Sequence, residues 1–351
     1  MRIGFFTESY FPEIDGVAYT LKLWKERLER RGHEVKIIYP DAEGYTPGKD
    51  EIPVRSVSNP FYSGYNIPVP ASLDFPDFDI VHCHGPATLG VAGRLYAYIN
   101  EVPSVYTHHT PLEEYFEQQV KVEAIADLMG KLYVPLEERF LSTFDTVTTN
   151  TGSPNRDVEA MELAAGIDME FFRPGEESDW NLERPVAGYS GRISREKNVE
   201  QVLEMAEDFP GTVVIVGEGP AREELEEEAP GNVVFKDFLD RSKLPGYYSM
   251  LDVFVTASTG DTLGLSPLEA NACDTPVVAP DVHPFDKTVQ ENGLKFRKED
   301  TEDFKQKVLQ AVEQDWDTRD AVKNYSVEDK IDRLEQIYQG LKEEKQHGPE
   351  R

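Results

Sequence analysis

Short apolar runs alternate with stretches of helical spacing along most of this chain. Ile3 to Phe6 reads as a buried strand; after a loop ending at Gly16, Val17 to Arg31 places apolar residues at helical spacing, and Gly32 closes the helix. Val35 to Tyr39, Ile80 to His82 and Ser104 to Thr107 read as further strands. An apolar helix carrying Leu89, Val91, Ala92 and Leu95 lies between the last two. Strand, helix, strand repetition predicts a parallel sheet covered on both faces. Periodicity is lost over Gly166 to Pro185, where Pro, Gly and charge gather, so the domain junction is placed there. A second run follows, with strands at Val186 to Tyr189, Thr212 to Val216, Val233 to Phe235, Val253 to Thr256 and Pro276 to Val278. Helices such as Val199 to Glu207 and Arg222 to Glu228 separate them. The predicted class is α/β, with Rossmann-like domains over residues 1–170 and 171–326. A long amphipathic helix, Val327 to Lys345, is available to pack back on the first. Two doubly wound domains in tandem leave a cleft facing both sets of strand carboxyl ends, where such sheets bind ligands.

Composition narrows the function classes. The 351 residues suit two domains, and 39% hydrophobic residues suffice for packed cores. A net charge of -30, spread along the whole length, repels nucleic acid and points to life in high salt, where self-repulsion is screened. Cys83 and Cys273 are the only cysteines, which suits a reducing cytoplasm. The first residues contain Glu8, Pro12, Glu13 and Asp15 where a signal peptide needs an unbroken apolar stretch, and no window is apolar enough to span a membrane. The expected location is cytoplasmic, reaching the inner membrane surface. Leu21 to Lys36 has six Lys or Arg against three Glu, a locally basic helix suited to an anionic lipid surface.

The candidate chemistry centres on TGDTLGLSPLEANACDTPVVA, Thr259 to Ala279. On one continuous helix Asp261 and Glu269 would stand about 12 Å apart, beyond the roughly 5 to 9.5 Å of paired glycosidase carboxylates. Ser266 reads as a helix cap, with Pro267 at the first helical position and Glu269 at the third, which leaves Asp261 in the preceding loop. Glu269 thus reads equally as a capping-box acid and as a ligand group. The backbone of Gly264 to Leu268 offers N–H groups at a positive helix end, a seat for phosphate. GRISREKN places Arg192 and Lys197 after the first strand of the second domain. Gly16 permits close backbone approach after the first strand of the chain. In VGEGP the third glycine of a dinucleotide fingerprint is replaced by Arg222, which disfavours a nicotinamide dehydrogenase. His82, Cys83, His84, His108 and His109 lack zinc-site spacing.

These residues resemble the signature of retaining glycosyltransferases of family 4. The pattern of an acid, seven residues and a Glu stands here as Asp261 and Glu269, followed by Ala270, Ala272, Cys273, Asp274, Pro276, Val277 and Val278. Asp261 replaces the usual Glu, Ser266 a common Pro, Asn271 a Met and Asp274 a Gly. The resemblance covers nearly the whole chain and implies the GT-B fold of two facing Rossmann-like domains. It further implies that Arg192 and Lys197 hold the diphosphate and that Gly16 faces phosphate. His109 would contact the sugar at the reacting centre, with His108 structural, and the loops of Glu218 and Leu239 would face the base. Asp261, Thr262, Leu263, Gly264, Leu265 and Glu269 would bind the donor, with His109, Arg192, Lys197 and Asp261 as the catalytic set. No metal or cofactor is expected beyond the nucleoside diphosphate sugar, UDP- or GDP-linked, which is substrate. HHTPLEEY and ESYFPEIDGV look most like the branch that glycosylates diacylglycerol, so the expected acceptor is a lipid such as a diacylglycerol or an isoprenoid lipid. The aromatic loop Asn59 to Pro70 would border it, and the basic helix would provide peripheral membrane contact; no nucleic-acid partner is expected. The alternatives are a soluble or polyprenyl-linked saccharide acceptor, a nucleotide-sugar epimerase, and a non-catalytic nucleotide-sugar-binding protein.

Overall fold

The computed structural model describes residues 1–12, 15–59, 66–109, 133–150 and 158–347. The chain divides into two compact units. The first is Met1–Gly166 together with Val327–Arg351, and the second is Ile167–Ser326. The division falls at the start of the Gly166 to Pro185 stretch, four residues before the 170/171 bound, and the last helix joins the first unit.

Among the described residues the first unit is built on a seven-stranded sheet. It runs in the order β3 (Glu51–Val54), β2 (Glu34–Pro40), β1 (Arg2–Phe6), β6 (Ile80–Cys83), β7 (Ser104–His108), β8 (Thr146–Thr149) and β9 (Met161–Glu162). Its pairings are parallel. A short antiparallel pair, β4 (Ser56–Ser58) and β5 (Asn66–Pro68), stands apart from it. Side chains alternate along each strand, so β1 sends Ile3 and Phe5 to one apolar layer and Phe6 to the other. Trp24 and Leu28 of α1 (Gly16–Arg30) cover the first layer, and Tyr96 of α2 (Thr88–Ile99) joins the second. The side chain of Asp15 caps α1 by accepting from the Ala18 N–H at 2.7 Å.

In the second unit all pairings of the six-stranded sheet are parallel as well. The order is β12 (Val233–Lys236), β11 (Thr212–Val216), β10 (Val186–Ser190), β13 (Val253–Val255), β14 (Val277–Pro280) and β15 (Gly293–Phe296). Helices α3 (Val199–Ala206), α4 (Arg222–Glu228), α5 (Leu244–Ser249), α6 (Leu265–Ala272) and α7 (Thr301–Val312) connect or cover these strands. In each unit the strand order reverses once, between β1 and β6 in the first and between β10 and β13 in the second. At such a switch point the loops leaving two neighbouring strands diverge and open a crevice for a ligand.

Helix α8 (Val327–His347) lies against α1, with Ile331, Leu334 and Tyr338 buried in the same layer as Trp24 and Leu28. Tyr338 also hydrogen-bonds through its hydroxyl to Nδ1 of the buried His82 at 2.6 Å. Tyr338→Ala is therefore expected to destabilise the first unit by about 3–5 kcal/mol, read as a shift of its urea transition with that of the second unit unmoved.

Carboxylates of the same chain, those of α8 for two arginines, engage most of the cations of the basic helix noted in the sequence. Arg27 pairs with Glu328 at 2.7 Å, and Arg31 pairs with Asp332 and Glu335. Lys25 pairs with Glu29 at 2.6 Å and Lys36 with Asp50 at 3.3 Å. Four of the six cations thus meet carboxylates of the same chain, which corrects the reading of this helix as a basic surface left over for lipid.

Candidate functional site

The residues singled out in the second unit all leave the carboxyl ends of its strands. β10 ends at Ser190, and its loop passes Arg192 before a single turn, Arg195–Lys197, brings Lys197 back to the sheet edge. β13 ends at Val255, and its loop carries Asp261 and Thr262 to α6. Because β10 and β13 flank the switch point, these loops meet there: Lys197 Nζ donates to Asp261 Oδ1 at 2.9 Å and contacts the Gly260 carbonyl at 3.4 Å. The Thr259 N–H donates to the Glu196 carbonyl at 3.3 Å and fixes the two loops together. The ion pair is partly withdrawn from water, at 20% and 25% side-chain exposure, so it holds its geometry better than a surface pair. Arg192 is exposed on the same loop.

Helix α6 begins two residues earlier than its sequence suggested, at Leu265 instead of Pro267. Gly264 adopts the left-handed conformation (φ 75°) and acts as N-cap, so Ser266 and Pro267 lie inside the first turn. Pro267 is tolerated there because first-turn N–H groups have no intrahelical partner. The expected capping box does not form, since the Glu269 carboxylate is engaged elsewhere. It is buried, accepting from Arg241 at 3.2 Å and from the Tyr248 hydroxyl at 3.2 Å. The Tyr248 hydroxyl also meets Ser190 Oγ, at the end of β10, at 2.9 Å. Burial raises the pKa of Glu269, and the nearby Arg241 charge opposes that shift. Arg241 in turn lies 4.8 Å from the Phe172 ring centroid and 5.7 Å from that of Phe171. Arg241, Tyr248 and Ser190 escaped the sequence reading. Leu263 is buried beside Gly264, and Leu265 opens the helix half-buried.

The loops assigned to the base differ in character. Gly217 has φ 143°, and a Cβ at Gly217 or Gly219 would fall 1.9 or 2.1 Å from the Gly191 or Ile193 carbonyl oxygen, respectively. These glycines therefore let the β11 loop lie against the β10 loop, and the Ile193 N–H donates to the Glu218 carbonyl at 2.8 Å. The exposed Glu218 carboxylate pairs with Arg222 at 2.7 Å. Leu239 is half-buried in the loop after β12.

In the first unit Gly16 opens α1 and is exposed, one residue after the capping Asp15. His109 follows β7, with Nε2 3.0 Å from Nδ1 of His84, the residue after β6. Burial, with the neighbouring His108 charge, depresses the His109 pKa to about 3. Burial likewise holds His84 well below its ordinary value, so this histidine pair is neutral at pH 7. His108 lies buried on the strand, Nε2 3.4 Å from Glu137. Among the described residues no group of three His, Cys, Asp or Glu is placed to hold a metal ion. Residues 60–65 of the aromatic loop, most of HHTPLEEY, and Glu13 and Ile14 of ESYFPEIDGV lie outside the described residues.

The two units match two families. Glycosyl transferases group 1 matches residues 174–329, and glycosyltransferase family 4 matches residues 14–165. Over 317 residues the chain is 30% identical to an alpha-monoglucosyldiacylglycerol synthase of Streptococcus pneumoniae, covering 80% of this chain and 71% of that one. Over 301 residues it is 29% identical to a GDP-mannose-dependent alpha-mannosyltransferase of Mycolicibacterium smegmatis, covering 80% of each. The structure of a sucrose-phosphate synthase from Thermosynechococcus elongatus shares the fold, with a TM-score of 0.74 at 18% identity over 97% of this chain and 98% of that one.

Proposed function

Since this chain belongs to the group 1 and family 4 glycosyltransferases, and is a glycosyltransferase of the GT-B fold, we propose that it moves a hexose from a nucleoside diphosphate sugar to a hydroxyl of a lipid acceptor. The observation that carries this reading is the Lys197 and Asp261 pair at the switch point of the second unit, beside the first turn of α6. Breaking the bond between the anomeric carbon and the diphosphate oxygen puts negative charge on that oxygen. Lys197, Arg192 and the Leu265 and Ser266 N–H groups are the donors available at this edge, and one such preorganised donor is worth about 10²–10³ in kcat. Asp261 takes the sugar hydroxyls, while the loops of Glu218 and Leu239 flank the base.

The proposed course retains the anomeric configuration. The acceptor oxygen attacks on the face the diphosphate leaves, and a diphosphate oxygen takes the acceptor proton. His109, the sugar-contacting histidine of the resemblance, is kept neutral by burial and would add no charge. No divalent ion is required, because side-chain cations and amides balance the leaving group.

The relative from Streptococcus pneumoniae, a diacylglycerol-glycosylating enzyme by its name, supports a lipid acceptor, with transfer at a membrane surface. No helix among the described residues is long and apolar enough to cross a membrane. The mannosyltransferase relative supports GDP-mannose as a donor to be tried beside UDP-glucose.

The test is release of nucleoside diphosphate from each donor, with and without dioleoylglycerol in mixed micelles, in molar salt and with EDTA. Release that depends on acceptor, survives EDTA and yields an alpha-linked glycolipid is expected. Release without acceptor would replace this reading with hydrolysis or epimerisation, and tight donor binding without release would replace it with a sensor.

A further inference from the structure

The carboxyl edge of the first sheet carries polar atoms that the fold itself leaves unsatisfied. Glu8 follows β1 at the switch point, where its Oε1 accepts from the Leu89 and Gly90 N–H groups of α2 at 2.8 and 3.0 Å. Its other oxygen, Oε2, is buried with no hydrogen-bond partner among the described residues. Gly85 makes room for this carboxylate, since a Cβ there would lie 2.3 Å from Glu8 Cγ. Beside it, at the end of β6, His84 is 6% exposed, with Nδ1 given to His109 and Nε2 buried and unpartnered. At the end of β8, Asn150 is 6% exposed; its amide nitrogen donates to the His109 carbonyl at 3.3 Å, and its Oδ1 is buried and unpartnered. His108 Nε2 also lacks a hydrogen bond but faces Glu137 and is left aside. Because β1, β6, β7 and β8 are successive neighbours, Glu8, His84, His109 and Asn150 form one row of strand ends.

Buried polar atoms are normally paired, so several orphans on one edge mark a place completed by a ligand. We propose that Glu8, His84 and Asn150 bind the hydroxyls of an uncharged polyol head, such as the glycerol of a neutral lipid, and select it against phosphate-bearing lipids. Asn150 Oδ1 only accepts hydrogen bonds, so the ligand must bring it an O–H donor, and Glu8 Oε2, whose pKa burial raises, accepts another when ionised. A phosphate diester brings none. The α2 amides that would otherwise attract an anion are already taken by Glu8, and none of the three residues is a cation. This selectivity rests on the lipid-acceptor reading above and adds the chemistry of its head group.

The test uses soluble short-chain probes, dihexanoylglycerol and the phosphate diester dihexanoylphosphatidylcholine, with binding to the full chain followed by calorimetry or tryptophan fluorescence. Trp24 is a natural reporter, its ring centroid 6.0 Å from that of His84. The wild-type protein is expected to prefer the glycerol probe at least tenfold. Glu8→Gln and, at a different strand end, Asn150→Leu should each weaken that probe at least tenfold while leaving the KM for donor unchanged. Equal binding of the two probes by the wild type, or unaltered glycerol binding by either folded variant, overturns the proposal. Selective binding without glycosyl transfer would instead remove the lipid-acceptor function and leave this site standing.

Discussion

Lys197→Ala is expected to lower kcat for transfer about 10²–10³-fold, the effect of removing one preorganised donor from a developing charge. The loss should be large because Lys197 is held in place at the switch point by Asp261 at 2.9 Å and by the Gly260 carbonyl. In a chain of net charge -30, a dianionic leaving group gains much from a fixed cation. Binding of the free nucleoside diphosphate separates two roles for this lysine. If it served only to neutralise Asp261, then Lys197→Ala combined with Asp261→Asn would bind the nucleoside diphosphate as tightly as Asp261→Asn alone. If it serves the diphosphate, the double variant binds it at least tenfold more weakly than Asp261→Asn, which is the expected result. Turnover of Lys197→Ala within fivefold of the wild type would remove the diphosphate assignment.

Glu269→Gln is expected to lower kcat/KM about 10–150-fold, the range for losing a hydrogen bond to a charged group at about 1.5–3 kcal/mol. Glutamine preserves the shape of a buried side chain that meets Arg241 and Tyr248, each at 3.2 Å. Glu269→Ala should be equally inactive but also less stable by about 1–3 kcal/mol, because, unlike glutamine, alanine offers no acceptor to Arg241 or to the Tyr248 hydroxyl. Comparing the two by urea unfolding separates catalytic loss from loss of fold. Wild-type turnover in Glu269→Gln would show this carboxylate to be structural, a partner of Arg241 and nothing more.

The elements that were legible are those whose pattern is local. Thr212–Val216 and Arg222–Glu228 stand where apolar runs and helical spacing put them. β8, made of Thr146, Val147, Thr148 and Thr149, was not legible, because buried threonines look polar and the strand is short. The start of α6 was misread for a physical reason: Ser266 before Pro267 imitates a cap, but the left-handed Gly264 starts the helix first. Lys197 and Asp261 were each visible as candidates, whereas their contact depends on β10 lying next to β13, a sheet order that spacing does not encode. Arg241 and Tyr248 belong to no motif, and only the buried acid 28 and 21 residues away gives them a role. The positive surplus of Leu21 to Lys36 was visible, but the acids that cancel it lie some 300 positions downstream.

That long separation bears on synthesis. The second unit is inserted into the first, whose core around Trp24 and Leu28 is completed by Val327, Ile331, Leu334, Ile337 and Tyr338 of the last helix. At about 5–20 residues per second, translation of the intervening unit takes on the order of 10–30 s. For that time the ribosome exposes an open apolar sheet, so the later-made unit can finish folding first and the earlier one depends on chaperones until the last helix emerges.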